Sequence, residues 1–142
     1  MKKTNYINLV FLCLIGLAFA NTGIQALTDP AAVLAQVGIE LNTTSAFSSM
    51  RANYGGMHLA FGLFCLFAAF RSQKAGLGLV VLYTLGFVGG RLVSILNDGA
   101  PNEFVSTWLI TESVSMLIAG FLLYRLQLSQ QTASLQQAAL AV

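Results

Sequence analysis

Four stretches of about twenty apolar residues, at positions 6–27, 52–70, 76–96 and 104–124, are separated by short polar connections and leave little freedom of fold. A helix rises about 1.5 Å per residue, so each stretch reaches across a hydrocarbon layer about 30 Å thick. Backbone amides in lipid must be paired within the chain, and runs of this length without period-two alternation meet that demand as helices rather than barrel strands. The expected class is all-α: an integral membrane four-helix bundle. Composition points the same way, with 56% of the 142 residues hydrophobic, 8% charged and a mean hydropathy of +0.75. Soluble domains carry about 25% charged residues.

The seven basic residues, Lys2, Lys3, Arg51, Arg71, Lys74, Arg91 and Arg125, are scattered among the apolar runs and form no patch, which argues against nucleic acid as a partner. Cys13 and Cys65 lie in separate apolar runs with no Cys-x-x-Cys spacing, and read as small packing residues rather than a disulfide, redox pair or zinc site. His58 is the only histidine, so one chain cannot supply a bis-histidine haem, and no metal or cofactor is expected.

Lys2 and Lys3 precede the first span, Arg71 and Lys74 lie between the second and third, and Arg125 closes the fourth, while Asp29, Glu40, Asp98 and Glu103 sit in the opposite connections. The positive-inside rule then places both termini in the cytoplasm of a multi-pass protein of the inner (cytoplasmic) membrane. Lys2, Lys3, the apolar stretch after them and Ala18-Phe19-Ala20 also resemble a cleavable secretory signal. Apolar character continues through Gly23, Ile24, Ala26 and Leu27, however, which favours a retained span. One transmembrane domain, residues 1–125, is expected, followed by a polar, Gln-rich cytoplasmic tail at 126–142 that continues the last helix only briefly before fraying.

In the first outer connection Asp29-Pro30 suits a helix start, the aspartate as cap and the proline in the first turn. Leu34, Val37 and Leu41 recur at helical spacing, predicting a short interfacial helix to about Leu41 that lies on the bilayer surface or caps the bundle. Asn42-Thr43-Thr44 matches a glycosylation sequon too short to carry weight.

The polar residues inside the spans converge in depth. With Arg51 at the outer rim of the second span, His58 lies roughly 10 Å deeper; Arg91 is about 7 Å below the outer end of the third span, and Glu112 roughly 12 Å below Phe104. Helical steps of three and four put Arg51, Tyr54, Gly55, His58, Gly62 and Cys65 on one face of the second helix. Thr84, Phe87, Arg91, Ser94 and Asp98 form a stripe on the third, and Trp108, Thr111 or Glu112, Ser115 and Ala119 one on the fourth. A lone charge at mid-membrane costs about 2.5–3.5 kcal/mol on insertion scales, so Arg91 and Glu112 are expected to pair. Gly86 and Gly90 on the third span, with Gly55, Gly56 and Gly62 on the second, are expected to allow close helix approach.

Three readings of this convergence stand side by side. In the first, an outer-half pocket binds an amphipathic or anionic small molecule such as a lipid head group or quinone: Arg51 and Arg91 hold acceptor oxygens, Glu112 orients Arg91, Tyr54 and His58 donate hydrogen bonds, and Gly55 leaves room. Asp98 would reach Arg51 or Arg91 at the rim, or cap the Asp98-Gly99-Ala100-Pro101 turn. In the second, the chain is an accessory or assembly subunit of a redox or transport complex and its ion pair is purely structural. In the third, a membrane enzyme uses His58 and Glu112 as acid and base. Membrane lipids are partners in all three, with a partner membrane protein or a second copy of the chain also compatible.

The motifs "RANYGGMHLAFG" (51–62) and "GRLVSILNDGAP" (90–101), with Glu112 and the early "LTDPAAV" (27–33), resemble a small bacterial membrane family labelled domain of unknown function 4345. The likeness extends to about Arg125 and implies a four-helix membrane protein with signature positions at Arg51, Tyr54, Gly55, Gly56, Gly90, Arg91, Asp98, Gly99 and Glu112. That pattern often has an acidic residue just before the first arginine; here Ser48-Ser49-Met50 stands instead. The family label implies no activity. A looser likeness to DoxX-type four-helix proteins, which accompany membrane redox enzymes, is one of architecture alone.

Overall fold

The computed structural model describes residues 5–140, so Lys2 and Lys3, which enter the orientation reading, lie outside the described residues. Helix α1 (Tyr6–Thr28) begins at Asn5, whose side chain accepts from the amides of Ile7 and Asn8. Helix α2 (Pro30–Ala35) follows at once, with Asp29 accepting from the amide of Ala32 and proline in the first turn. Helix α3 (Thr44–Met50), a π-helical turn (Arg51–Gly56) and helix α4 (Met57–Arg71) run on as one rod; α5 (Gln73–Asp98) and α6 (Glu103–Leu140) complete the chain. Four helical stretches are long and apolar enough to cross a membrane: Tyr6–Thr28, Thr44–Arg71, Gln73–Asp98 and Glu103–Leu140. This is an all-α, membrane-spanning bundle.

Two boundaries differ from expectation. The short helix of the first connection stops at Ala35 rather than near Leu41, because the chain turns back through Gly38 at φ 77°, with Gly38 and Ile39 amides bonded to the Ala35 and Leu34 carbonyls. Leu34 and Pro30 are buried, so α2 caps the end of the bundle against α1 and the π-turn instead of lying free on a surface. The second rod starts at Thr44 rather than at 52. Thr43 caps it by accepting from the Ala46 amide, and the polar first turns Thr44-Ser45-Ala46-Phe47-Ser48-Ser49 are too hydrophilic to register as a span.

The bundle is built from two antiparallel pairs, α1 against α4 and α5 against α6, joined along α4 and α5. The first pair is very close. A Cβ on Gly62 would lie 2.5 Å from the Ala20 amide nitrogen and one on Gly23 2.5 Å from that of Leu59, while one on Gly16 would meet the Gly62 carbonyl at 2.9 Å. The small residues Gly16, Ala20 and Gly23 therefore seat α1 on Gly55 and Gly62 backbone to backbone. Gly86 and Gly90 do not share in this, since a Cβ at either meets nothing within 4 Å. Their four-residue spacing carries no close contact, and close approach is made by Gly55 and Gly62 of the second rod against Gly16, Ala20 and Gly23 of α1.

The half of the bundle nearest Arg71 holds the core, where Leu12, Phe61, Cys65, Leu77, Val80, Ala119 and Leu122 meet from all four long helices. At that end Gln73 clamps the start of α1: its side-chain amide donates to the Asn5 carbonyl and accepts from the amide of Asn5 and the side chain of Asn8. The opposite, acidic end carries Asp29, Glu40, Asp98 and Glu103.

Candidate functional site

Arg91 on α5 and Glu112 on α6 sit at equal depth below the acidic end. The guanidinium grips the carboxylate with two bonds, Nε to Oε2 at 2.7 Å and Nη2 to Oε1 at 2.9 Å. The arginine side chain retains 22% of its exposure and the glutamate 6%. Parallel two-bond geometry is the strongest arrangement open to this pair, and it occupies both carboxylate oxygens. Arg91 also lies over the Phe87 ring, with its guanidinium carbon 6.0 Å from the centroid, and its remaining nitrogen, Nη1, has no hydrogen bond among the described residues.

His58, the second residue of α4, is buried inside an aromatic cage. Tyr54 stacks on it at 5.6 Å and 9°, Phe19 at 5.5 Å and 29°, while Tyr83 and Phe87 present edge contacts. Its Nδ1 is fully buried with no partner in hydrogen-bond geometry; the Asn53 carbonyl beside it, on the π-turn, falls outside that geometry. Beneath the cage Phe61 and Tyr83 stack at 4.0 Å, sealing the site from the core.

These groups border one cavity of about 350 Å³, within the range of small-molecule sites. Tyr54 and His58 line it from the second rod, Phe87 and Arg91 from α5, and Phe104, Trp108 and Glu112 from α6. Val33, Gln36 and Val37 roof it at the acidic end, and that roof is tied down by the Asn102 side chain donating to the Gln36 carbonyl at 3.0 Å.

Tyr54, His58, Arg91 and Glu112 thus come together around one space, whereas three other expected site residues lie elsewhere. Arg51 donates from Nε to the Leu27 carbonyl at 3.0 Å and covers the Phe47 ring, closing the end of α1 rather than lining the cavity. Gly55 is buried against Leu27, whose side chain fills the space where a ligand would need room. Asp98 accepts from Ser94 at 2.9 Å in an exposed position and bonds neither arginine.

The sequence reading missed the fourth wall. Ala18, Asn21, Thr22 and Gln25 on α1 line the cavity at the depth of His58, Asn21 standing about 10 Å below the end of its helix. Their signal is present in the sequence: Asn21, Thr22 and Gln25 put three polar side chains within five residues of a largely apolar span.

The fold and site together define a small four-helix membrane protein with a buried, two-bond Arg–Glu pair beside a cage-held histidine. The chain belongs to the family described as Domain of unknown function (DUF4345), whose model matches residues 7–123. No curated protein and no solved structure gives a significant match.

Proposed function

We propose that this protein binds an amphipathic small molecule, of the lipid head group or quinone kind, in the cavity between its two helix pairs. The observation that carries the reading is the unspent polarity of that cavity: Arg91 Nη1 and the side chains of Asn21 and Gln25 have no hydrogen bonds among the described residues. Such groups at membrane depth demand a partner, and a bound molecule supplies several at once. Arg91 holds an acceptor oxygen, Glu112 fixes Arg91, and Tyr54 and His58 orient the ligand. In the orientation given by Arg71, Lys74 and Arg125, the site lies in the outer half of the inner membrane, with both termini cytoplasmic.

Mass spectrometry of the protein extracted with its native lipids tests this. The wild-type chain is expected to retain a small molecule that the folded double variant Arg91→Met with Glu112→Leu releases. An identical set of bound molecules in both proteins sinks the proposal.

One observation favours a second reading, an accessory or assembly subunit with a structural ion pair. Helix α6 packs chiefly on α5, and the Arg91–Glu112 bonds join those two helices. On that reading the double variant retains every function of the parent. An acid–base role for Glu112 with His58 is disfavoured because Arg91 occupies both carboxylate oxygens.

A further inference from the structure

Charge balance and access together narrow the ligand. Of the residues lining the cavity only Arg91 and Glu112 are charged, and each neutralises the other. An anionic head group placed there adds an uncompensated charge in a low-dielectric site, at a cost of about 2.5–3.5 kcal/mol on insertion scales. A neutral molecule with carbonyl oxygens escapes that cost and still accepts from Arg91 Nη1, Tyr54, Asn21 and Gln25. The walls are flat and aromatic, with Phe19, Tyr54 and Phe87 around the imidazole and Phe104 and Trp108 on the α6 side, which suits a planar ring able to stack.

Access is also directional. The α2 roof, held by the Asn102 to Gln36 bond, covers the acidic end, and the Phe61–Tyr83 stack closes the floor. Helices α1 and α6 form no packed interface beside the cavity, and Ala18, Asn21 and Gln25 on the edge of that gap are exposed. The open side faces along the membrane plane.

We propose, resting on the binding reading above, that the ligand is a neutral, planar ring compound with carbonyl acceptors and an apolar tail, which reaches the cavity sideways from the lipid between α1 and α6. Its ring stacks against the aromatic side chains that line the cavity beside the His58 cage, one carbonyl takes Arg91 Nη1, and the tail leaves through the gap past Ala18. The inference concerns binding and assigns no electron transfer.

Trp108, the single tryptophan, borders the cavity and reports occupancy by its fluorescence. In phosphatidylcholine nanodiscs a decyl-substituted benzoquinone is expected to quench Trp108 saturably, while brominated phosphatidylglycerol, an anionic quencher, acts only in proportion to its concentration. Glu112→Gln leaves Arg91 uncompensated and is expected to reverse the preference, weakening the quinone about tenfold and making quenching by the anionic lipid saturable. Should that variant fail to fold, Asn21→Leu with Gln25→Leu, which spares the ion pair, is expected to weaken the quinone by about the same factor. Ala18→Phe obstructs the gap and is expected to slow the onset of quenching about tenfold.

Saturable quenching of the wild type by brominated phosphatidylglycerol but not by the quinone overturns the neutral-ring assignment and leaves the binding reading intact. Proportional quenching by both probes overturns the binding reading itself. Unchanged quinone affinity in the Asn21/Gln25 double variant removes the carboxamide contacts on which the assignment draws, and an unchanged onset in Ala18→Phe overturns the sideways route.

Discussion

Arg91 and Glu112 form a pair whose two halves have different consequences when lost. Glu112 keeps only 5% of its exposure, and its removal leaves a guanidinium facing the cavity with no counter-charge. Breaking a buried pair on one side costs more than replacing both partners by apolar groups of like shape. Glu112→Ala is therefore expected to lose about 3 kcal/mol of stability in detergent, and Arg91→Met with Glu112→Leu to recover most of it, as read from thermal unfolding followed by circular dichroism. A double variant no more stable than Glu112→Ala refutes this account of the pair. The pair could be read from sequence because insertion cost and topology alone force two opposite charges at one depth together. Arg51 could not: its bond to the Leu27 carbonyl depends on where α1 ends and on the π-turn that aims the side chain, and neither carries a sequence pattern.

At the scale of helices, glycine spacing is informative only when something stands opposite. Gly86 and Gly90 have the four-residue spacing of a packing motif and meet nothing, whereas Gly16, Gly23 and Gly62 are filled by the backbone of the facing helix. Gly62→Ala is expected to cost about 2 kcal/mol, because its new methyl group meets the Ala20 amide and the Gly16 carbonyl rather than a movable side chain. Gly86→Ala is expected to change stability by less than about 1 kcal/mol, in the stabilising direction, since alanine is the better helix former and the site is open. Comparison of the two unfolding midpoints in one detergent checks this, and equal losses would refute the assignment of α1 and α4 as the tight pair. The spans were readable because apolar length is a local property of the chain. Helix pairing, the Thr44 start of the second rod and the polar wall on α1 were not, because each depends on which surface a neighbour covers.

For the whole molecule, length and charge bear on orientation. Helix α6 has 38 residues, about 57 Å at 1.5 Å per residue, and outlasts a layer about 30 Å thick, so it projects beyond the bilayer past Arg125. Arg71 and Lys74 lie at that same end, and Asp29, Glu40, Asp98 and Glu103 at the other. In the orientation proposed above, which keeps basic connections on the cytoplasmic side, the projecting end of α6 goes with them. The cavity lies toward the acidic end, so the same orientation sets the leaflet from which a ligand is drawn. Ala100 is exposed in the connection between α5 and α6, and Gln131 on the projecting part of α6. With Cys13 and Cys65 replaced by alanine, Ala100→Cys is expected to react with a membrane-impermeant maleimide on intact spheroplasts, and Gln131→Cys only after permeabilisation. The reverse pattern would invert the molecule and move the cavity, with all four of its walls, into the inner leaflet.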